Sequence, residues 1–567
     1  MPETRLTAFP TRPERDDMRS EEHSGSRSRI AFDLILSLAV TVCGALLAYI
    51  LSGGFPLIGI DDAAITRSYS DNIAEGAGYV YNVGGERVEG STALLWALML
   101  VVIYTLPVTP DIPILLLSGA LTVGAVFSMS RFVRYLCDPF EGSGDLGVIA
   151  LLVLLLASPG YFLWSVWTMM ELALWSATVL WLVLTLAHWS EREPAHMTAP
   201  VFGLFLPAAM LPLIRPEGVA VAFGLIALAS LLLPRLRRHG AMALTTVLLV
   251  FVSVTAFRIW YFGQPFPNTF YAKVSSDRLD DLINGTKYAA SFLHGAPLAD
   301  FFIVLWSGAV VWSILLMRQR PGIAQSILIG AATTFGFLAV YAGLGGDHFA
   351  LWRFYQPVWP LFVAVAAIGF GHFAVRLNLS QHSRPWVQPV AFAVMSGALC
   401  LSGWLHYYQG RFDVTKEFTL TERGMIFGRH MNAFEPTPGL AIGAAGGIAL
   451  TYEGFLYDVF GLNWTEMAHA KPEKVGMRNH ASFDRGVFLE HRPDLFALFN
   501  LLCLSDSAFT DWITENKFDG LFADPEFRAT YVPVRLPRSD GGCWIGFAKT
   551  AWLAEVSRGE ISVVGWQ

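Results

Sequence analysis

Residues 32–51, with the sequence FDLILSLAVTVCGALLAYIL, decide the fold. This run holds a single carboxylate and is long and apolar enough to cross a lipid bilayer as one helix. Further apolar runs of similar character recur along the chain, at roughly 113–133, 147–164, 172–188, 198–214, 219–233, 241–261, 299–317, 324–344, 355–374 and 388–405. The sequence therefore predicts a polytopic α-helical membrane protein with about eleven spans.

The composition of the 567 residues agrees with this class, since 54% are hydrophobic and only 15% are charged. A soluble chain of this length needs more charge on its surface, so a soluble enzyme is excluded. The formal net charge of -7 gives no reason to bind polyanions, and we expect no nucleic acid partner. Five cysteines cannot build a disulfide framework, but Cys503 and Cys543 share a candidate soluble region and could form one bridge.

The stretch 93–107 decides the sidedness of the loops, because counting it as a full span would invert every later loop. If it enters the membrane without crossing, most basic residues near span ends fall on one side, namely Arg131, Arg134, Arg192, Arg235, Arg237, Arg238, Arg318, Arg320, Arg376 and Arg384. Basic residues near span ends are retained in the cytoplasm, so the N-terminus is expected inside and the C-terminus outside. The first run is too long for a cleaved signal peptide and is expected to remain as an anchor.

Three regions follow from the change in composition along the chain. Residues 1–30 are predicted to be a disordered cytoplasmic tail, and residues 31–408 the transmembrane module. Residues 409–567 have short, strand-sized apolar pieces and are predicted to be a soluble α/β domain on the outer face. Glycines 443, 446 and 447 follow a strand-like run there; they fit a phosphate loop or an ordinary strand-to-helix turn, and a lone glycine-rich turn favours the latter.

The loop after the first span, residues 52–92, carries paired carboxylates. Its central part with the start of the next apolar run (59–96) reads GIDDAAITRSYSDNIAEGAGYVYNVGGERVEGSTALLW. Neighbouring Asp61 and Asp62 suit a general base, because partial desolvation and a like charge raise one pKa. In the alternative, one of them is a helix N-cap that accepts backbone N–H groups, which the spacing alone favours.

Other ionisable residues lie at the predicted outer ends of the spans. They are Glu171, Arg215, Glu217, Lys273, Asp347, His348 and Arg353. Each by itself is typical of a side chain that anchors a span end at the interface, but together they indicate a polar pocket beside the outer leaflet. Such a pocket suits a lipid phosphate leaving group, whose charge the cations would stabilise while one carboxylate deprotonates the acceptor. His348 fits phosphate binding, proton transfer or an ordinary hydrogen-bonded surface position.

The run DDAAITRSYSDNIAEGAGYVYNVGGERVEGST (61–92) resembles the first-loop signature of GT-C fold glycosyltransferases of the bacterial arabinofuranosyltransferase type. Later elements agree in order: Glu171, RPE at 215–217, PNTFYAK at 267–273, GGD at 345–347 followed by Arg353, and DVFGL at 458–462. The chain departs from the pattern at Ser91 and Thr92, where an aromatic is frequent, and in the segment 168–172.

This resemblance implies an inverting glycosyltransferase that moves a sugar, expected to be arabinofuranose, from a polyprenyl phosphate to a glycan, lipid or protein acceptor of the cell envelope. It implies Asp61 or Asp62 as the base and Arg215, Lys273, His348 and Arg353 at the donor phosphate. The remaining pocket residues are expected to be Arg87, Glu89, Glu171, Glu217, Asn268 and Asp347. No metal site is predicted, although a divalent ion is compatible with GT-C enzymes. The expected location is the bacterial inner (plasma) membrane, in contact with its lipids, with the site and the C-terminal domain facing the periplasm.

A transporter or flippase of a lipid-linked saccharide is the alternative. Such proteins place charged or Gly/Pro-broken segments near the bilayer midplane, often at corresponding positions of two halves. This sequence shows neither an internal repeat nor an ionisable pair in the middle of a span. The predicted one-sided position of the charges favours the enzyme.

Overall fold

The computed structural model describes residues 12–139, 143–190, 198–376, 387–474, 481–502, 518–538, 542–556 and 561–566. The first 410 residues are predominantly helical. The helices are α1 (Arg12–Leu51), α2 (Asp61–Ala74), α3 (Leu94–Tyr104), α4 (Asp111–Cys137), α5 (Ser143–Leu156), α6 (Pro159–Phe162), α7 (Leu172–Trp189), α8 (Thr198–Ile214), α9 (Gly218–Leu232), α10 (Arg237–Phe262), α11 (Asn268–Lys273), α12 (Arg278–Gly295), α13 (Ala299–Leu316), α14 (Pro321–Gly343), α15 (Trp359–Arg376) and α16 (Val387–Gly410).

The predicted polytopic helical fold is confirmed. Within the described ranges, seven helices are long and apolar enough to cross a membrane: α1, α4, α7, α10, α13, α14 and α15. A further candidate is a bent pair, in which α5 is followed by residues 159–167 at an angle of 75°; this geometry fits a broken span or a re-entrant loop. The predicted runs at 198–214 and 219–233 form the shorter apolar helices α8 and α9, and the run at 388–405 lies in α16.

The ambiguous stretch 93–107 contains α3, which is 11 residues long. At a rise of about 1.5 Å per residue it measures about 16 Å, roughly half of the hydrocarbon core of a bilayer. It packs against α2 and α8. This length fits a helix that enters the membrane without crossing it, and the sidedness of the loops stays a prediction.

The predicted tail, residues 1–30, overlaps the start of the first helix. Residues 1–11 lie outside the described ranges, but α1 begins at Arg12 and runs without a break into the first span. Pro13 falls in its first turn, where proline leaves no helical hydrogen bond unmade. The disorder of the tail in solution stays a prediction.

The C-terminal region forms the predicted α/β domain. After the long helix α17 (Phe412–Met431) come six strands: β1 (Leu440–Ile442), β2 (Leu456–Asp458), β3 (Leu495–Leu502), β4 (Tyr531–Pro537), β5 (Cys543–Lys549) and β6 (Ser562–Val563). The helices α18 (Thr465–Ala470) and α19 (Arg485–His491) and two further short helices, Pro525–Thr530 and Thr550–Glu555, connect them. The sheet order is β2-β1-β3-β5-β4-β6; β1 is parallel to β2 and β3, and the other pairs are antiparallel. Cys543 is disulfide-bonded, while Cys503 lies outside the described residues.

The first loop (residues 52–92) packs into this domain. One face of the sheet shares a single apolar core with buried loop residues, among them Ile65, Tyr69, Tyr79, Tyr81 and Val88. The loop backbone is also held from the domain side, since the side chain of Asn82 makes two hydrogen bonds of 2.9 Å with the backbone of Leu456. The fold therefore places α2 between the transmembrane module and the carboxyl ends of β1 and β2.

Candidate active site

A cavity of about 380 Å³ lies where the first loop, the helix ends and the C-terminal domain meet. Seven ionisable side chains of the predicted site line it, namely Asp62, Glu171, Arg215, Glu217, Lys273, Asp347 and Arg353. Its apolar lining includes Ile65, Phe266, Phe270, Val274, Leu344, Phe354 and Leu462. Residues more than 200 positions apart thus converge on one space with a charged part and an apolar part.

The central ion pairs of the cavity join Arg353 to two carboxylates. Its Nη1 lies 2.9 Å from Oδ2 of Asp62, and its Nε lies 2.7 Å from Oδ2 of Asp347. Burial opposes ionisation of Asp62, but the charges of Lys273 and Arg353 outweigh it and lower the pKa of this carboxyl. Asp62 keeps 27% of its side chain exposed, so an ionised carboxylate is open to the cavity.

Asp61 points elsewhere, although it is the next residue in the chain. It is buried, and its carboxylate accepts hydrogen bonds from the backbone N–H groups of Gly446 (3.0 Å) and Gly447 (2.8 Å) in the turn after β1. The predicted N-cap role of either aspartate is wrong, because α2 starts at Asp61 and its N-cap, Ile60, has no side-chain cap. The glycine-rich turn holds an anion, but that anion is a protein carboxylate.

Arg215 forms a second charged group at the cavity wall. Its guanidinium contacts Glu171 through Nη1 and Glu217 through Nε, the latter at 2.6 Å. The hydroxyl of Tyr341 donates to the same Glu217 oxygen at 3.1 Å. Two carboxylates therefore already neutralise the charge of Arg215. This side chain lines the cavity wall but has no unpaired charge to offer a phosphate.

Lys273 and Asn268 belong to the short helix α11, which the C-terminal domain contacts through α18. Asn268 does not line the cavity; its amide donates to the backbone oxygens of Gly461 (2.7 Å) and Leu462 (3.1 Å) and so fixes α11 to the loop after β2. Lys273 does line the cavity, and within the described chain it is the one cavity cation without an ion pair.

Besides Asp61 and Asn268, three further predicted site residues lie outside the cavity lining. Glu89 is buried and forms a two-bond pair with Arg258 at 2.7 and 2.9 Å. Arg87 stacks its guanidinium over the ring of Tyr261 at 4.7 Å. His348 is beside Asp347, with 3.4 Å between Nδ1 and Oδ1. These residues support the loop and the rim, while the cavity chemistry rests on the seven side chains above.

Two further carboxylates of the site had little or no role in the sequence-based prediction. Burial and the neighbouring Asp61 and Asp62 raise the pKa of Glu417, on α17, to about 8. Asp458, at the end of β2, is fully buried; burial raises its pKa to about 6, and it accepts hydrogen bonds from the backbone of Phe460 and Asn463. The DVFGL segment had pointed to Asp458, but no motif marks Glu417.

Two departures from the family pattern line the cavity. Ser91 and Thr92 occupy its wall, and Met170, from the segment 168–172, places its sulfur 3.8 Å from Nη1 of Arg353. In the described part of the chain, no group of three or more His, Cys, Asp or Glu side chains is arranged to hold a metal ion. Ser91, Thr92 and Met170 therefore lie beside the charged groups of the cavity.

Comparisons with known proteins give a similarity among solved structures. No family profile and no curated protein matches the sequence. Among solved structures, the chain is similar to the crystal structure of ArnT from Cupriavidus metallidurans bound to undecaprenyl phosphate, with 14% sequence identity and a TM-score of 0.48 over 90% of this chain and 97% of that one. At this level of similarity, function has to be argued from the site itself.

Proposed function

We propose that the protein is an inverting GT-C glycosyltransferase that moves a sugar from a polyprenyl phosphate to an acceptor of the cell envelope. The observation that carries the proposal is the composition of the cavity, in which one open carboxylate, Asp62, faces Lys273 and Arg353 beside an apolar lining. A lipid-linked phosphate needs these two surroundings together, cations for the headgroup and apolar surface for the first isoprene units.

In this proposal Asp62 is the general base. It takes the proton of the acceptor hydroxyl, whose oxygen attacks the anomeric carbon of the donor, and the bond from that carbon to the phosphate oxygen breaks. The electron pair leaves with the polyprenyl phosphate monoester, and a single displacement inverts the anomer. Its lowered pKa keeps Asp62 ionised at neutral pH, in the form that accepts a proton.

Lys273 and Arg353 stabilise the charge that the phosphate gains as the bond breaks. Because Arg353 is already paired with Asp62 and Asp347, we assign Lys273 as the main ligand of the donor phosphate. Such a leaving group needs no protonation, so no second acid is required. The donor sugar is proposed to be arabinofuranose, from the resemblance of residues 61–92 to that class, and the location the bacterial inner membrane with the site facing the periplasm.

The test uses the purified full-length protein in lipid nanodiscs, with polyprenyl-phosphate arabinofuranose as donor and a short arabinan as acceptor. We expect a glycosylated product with the inverted anomeric configuration, and a loss of transfer of at least about 100-fold in Asp62→Asn. Asp413→Asn changes an exposed carboxylate on α17 and serves as the matched control with unchanged transfer.

Two results would count against the proposal. Full transfer by Asp62→Asn would remove the base assignment. Movement of the lipid donor across vesicle membranes by the wild type, with no glycosidic product from arabinose or other pentose and hexose donors, would favour the transporter.

A further inference from the structure

The contact between Asp61 and the turn after β1 joins the C-terminal domain to the residue next to the proposed base. Both carboxylate oxygens of Asp61 are used, one by each of two consecutive backbone N–H groups. Charged acceptors make stronger hydrogen bonds than neutral ones, and burial keeps water from competing for them. The start of α2 is therefore fixed by the domain and not only by the helix itself.

The turn leaves no room for a side chain at this contact. A Cβ built on Gly446 would clash with the backbone oxygen of Asp61, and one built on Gly447 would clash with the backbone oxygen of Thr421 in α17. Glycine at both positions lets the turn approach α2 closely enough for its N–H groups to reach the carboxylate. The glycine pair thus fits this contact.

We propose that Asp61 is a positioning residue and that the turn at Gly446 and Gly447 acts through it to hold Asp62 in the cavity. This inference rests on the proposed function, since it concerns the geometry of its base. Asp61 and Asp62 are the first two residues of α2, so a shift of the Asp61 backbone moves Asp62 against Arg353 and the acceptor. A displacement of about 1 Å at a reacting group can lower a rate about 100-fold.

The surroundings of Asp61 make the contact sensitive to pH. Burial raises the pKa of its carboxyl to about 6, against the two N–H bonds that lower it. The ionisable groups that face it are Asp62 on the same helix, Glu417 on α17, Asp458 after β2 and Tyr81 in the first loop. Below about pH 6 the carboxyl takes up a proton and its hydrogen bonds to the turn weaken.

The test compares three variants of the full-length protein in nanodiscs. Asp61→Asn places an amide N–H₂ against one of the two N–H donors and is expected to lower kcat by about 10–100-fold, with the donor KM changed by less than about 2-fold. Asn82→Ala is the matched control, because it also removes two hydrogen bonds from the first loop to the domain backbone; its kcat should stay within about 2-fold. Asp62→Asn reports the base.

The pH profile separates positioning from general support of the fold. Wild type and Asn82→Ala should both lose rate below about pH 6, and Asp61→Asn should lack the part of this loss that comes from Asp61. If Asp61→Asn is not recovered folded, Gly446→Ala disturbs the same contact from the other side and should give the same fall in kcat.

The outcomes distinguish the two proposals. An active wild type, an inactive Asp62→Asn and an Asp61→Asn or Gly446→Ala variant at the wild-type rate would overturn the positioning role alone. An equal fall in Asn82→Ala would also overturn it, since any loss of docking would then have the same effect. A wild type without transfer would count against the proposed function itself.

Discussion

Two buried arginine–aspartate clusters lie at opposite ends of the transmembrane module, and they differ in one respect that bears on function. In the first, Asp33 of α1 pairs with Arg131 (2.9 Å) and Arg134 (2.6 Å) of α4, and Arg134 also pairs with Asp145 (2.6 Å). Asp33 lies about 27 Å along α1 from its end at Leu51. Two positive and two negative charges are paired there, and none of these four residues lines the cavity of the candidate active site.

The second cluster is open, and one of its cations forms no ion pair in the described chain. Arg353 pairs with Asp62 and Asp347 at the wall of the 380 Å³ cavity, and Lys273 faces the same cavity without such a pair. Glu417 lies near Asp61 and Asp62. Buried ion pairs alone are weak evidence for a site, because structural clusters contain them too. The second cluster therefore differs from the first in its accessible volume and in a cation, Lys273, that has no ion pair in the described chain.

The largest effect is expected at the first cluster, which is centred on Asp33 and is called the closed cluster below. Asp33→Ala leaves two arginines without their shared carboxylate, and removing one partner of a buried pair costs about 3–5 kcal/mol of unfolding free energy. Thermal unfolding in detergent should show this loss, while the transfer rate per folded molecule stays at the wild-type value. A lower rate per folded molecule would mean that the closed cluster also serves the site.

At the open cluster, Lys273→Ala should change binding and leave stability nearly unchanged. Loss of a charged hydrogen bond to the donor phosphate is worth about 1.5–3 kcal/mol, which corresponds to a rise in donor KM of about 10–100-fold. The unfolding free energy should change by less than about 0.5 kcal/mol, because Lys273 forms no ion pair in the described structure. Steady-state kinetics and thermal unfolding on the same sample check both expectations. An unchanged KM would contradict the assignment of Lys273 as the phosphate ligand and leave Arg215 or Arg353 in that role.

The raised pKa of Glu417 should appear in the pH dependence of stability. Its pKa in the folded protein, about 8, is above that of the unfolded chain, so the folded state binds the extra proton between about pH 4.5 and 8. Its contribution to stability is therefore present at low pH and is lost as the pH rises toward 8. From pH 5 through 7 to 9, the unfolding temperature should fall less in Glu417→Gln than in wild type. An identical fall in both proteins would mean that Glu417 is not the group whose raised pKa causes it.

The smallest effect is expected at an exposed pair on the same helix. Lys416 and Asp413 of α17 are 3.2 Å apart, but both side chains are more than half exposed. Solvent-exposed pairs contribute about 0–1 kcal/mol and are screened by salt. Lys416→Ala should change the unfolding free energy by less than about 0.5 kcal/mol, which makes it the baseline for the three predictions above.

The sequence predicts the membrane module well because each span carries its own signal. An apolar run of about 20 residues needs no partner to be recognised, and even the 11-residue α3 can be distinguished by its length and by the basic residues around it. The cavity residues were found in the same way, since a charge at the end of an apolar run is conspicuous. All seven charged cavity residues are also part of motifs: Asp62, Glu171, Arg215, Glu217, Lys273, Asp347 and Arg353.

The roles within the site could not be predicted, because they depend on contacts across the chain. Asp61 and Asp62 are identical neighbours in the sequence, which does not show that Asp61 faces the C-terminal domain and Asp62 the cavity. The backbone N–H groups of the turn at 446 and 447, which bind Asp61, determine the difference. The role of Glu89 could not be predicted for the same reason. Its partner Arg258 lies within an apolar span and belongs to no motif. Burial, together with Asp61 and Asp62 on the neighbouring helix α2, raises the pKa of Glu417, and neither cause can be read from the sequence around it.

The contact between Asp61 and Gly446 also has a consequence for biosynthesis. These residues are 385 positions apart, so the carboxylate has left the ribosome long before its backbone partners are made. At about 5–20 residues per second, the interval is roughly 20–80 s, far longer than the time in which a loop can collapse by itself. During this interval the apolar face of the first loop has no sheet to pack against. A truncation before β1 should therefore yield inserted spans whose first loop is sensitive to protease. This exposed state of the nascent chain ends only when the last quarter of the protein has been made and the sheet covers the loop.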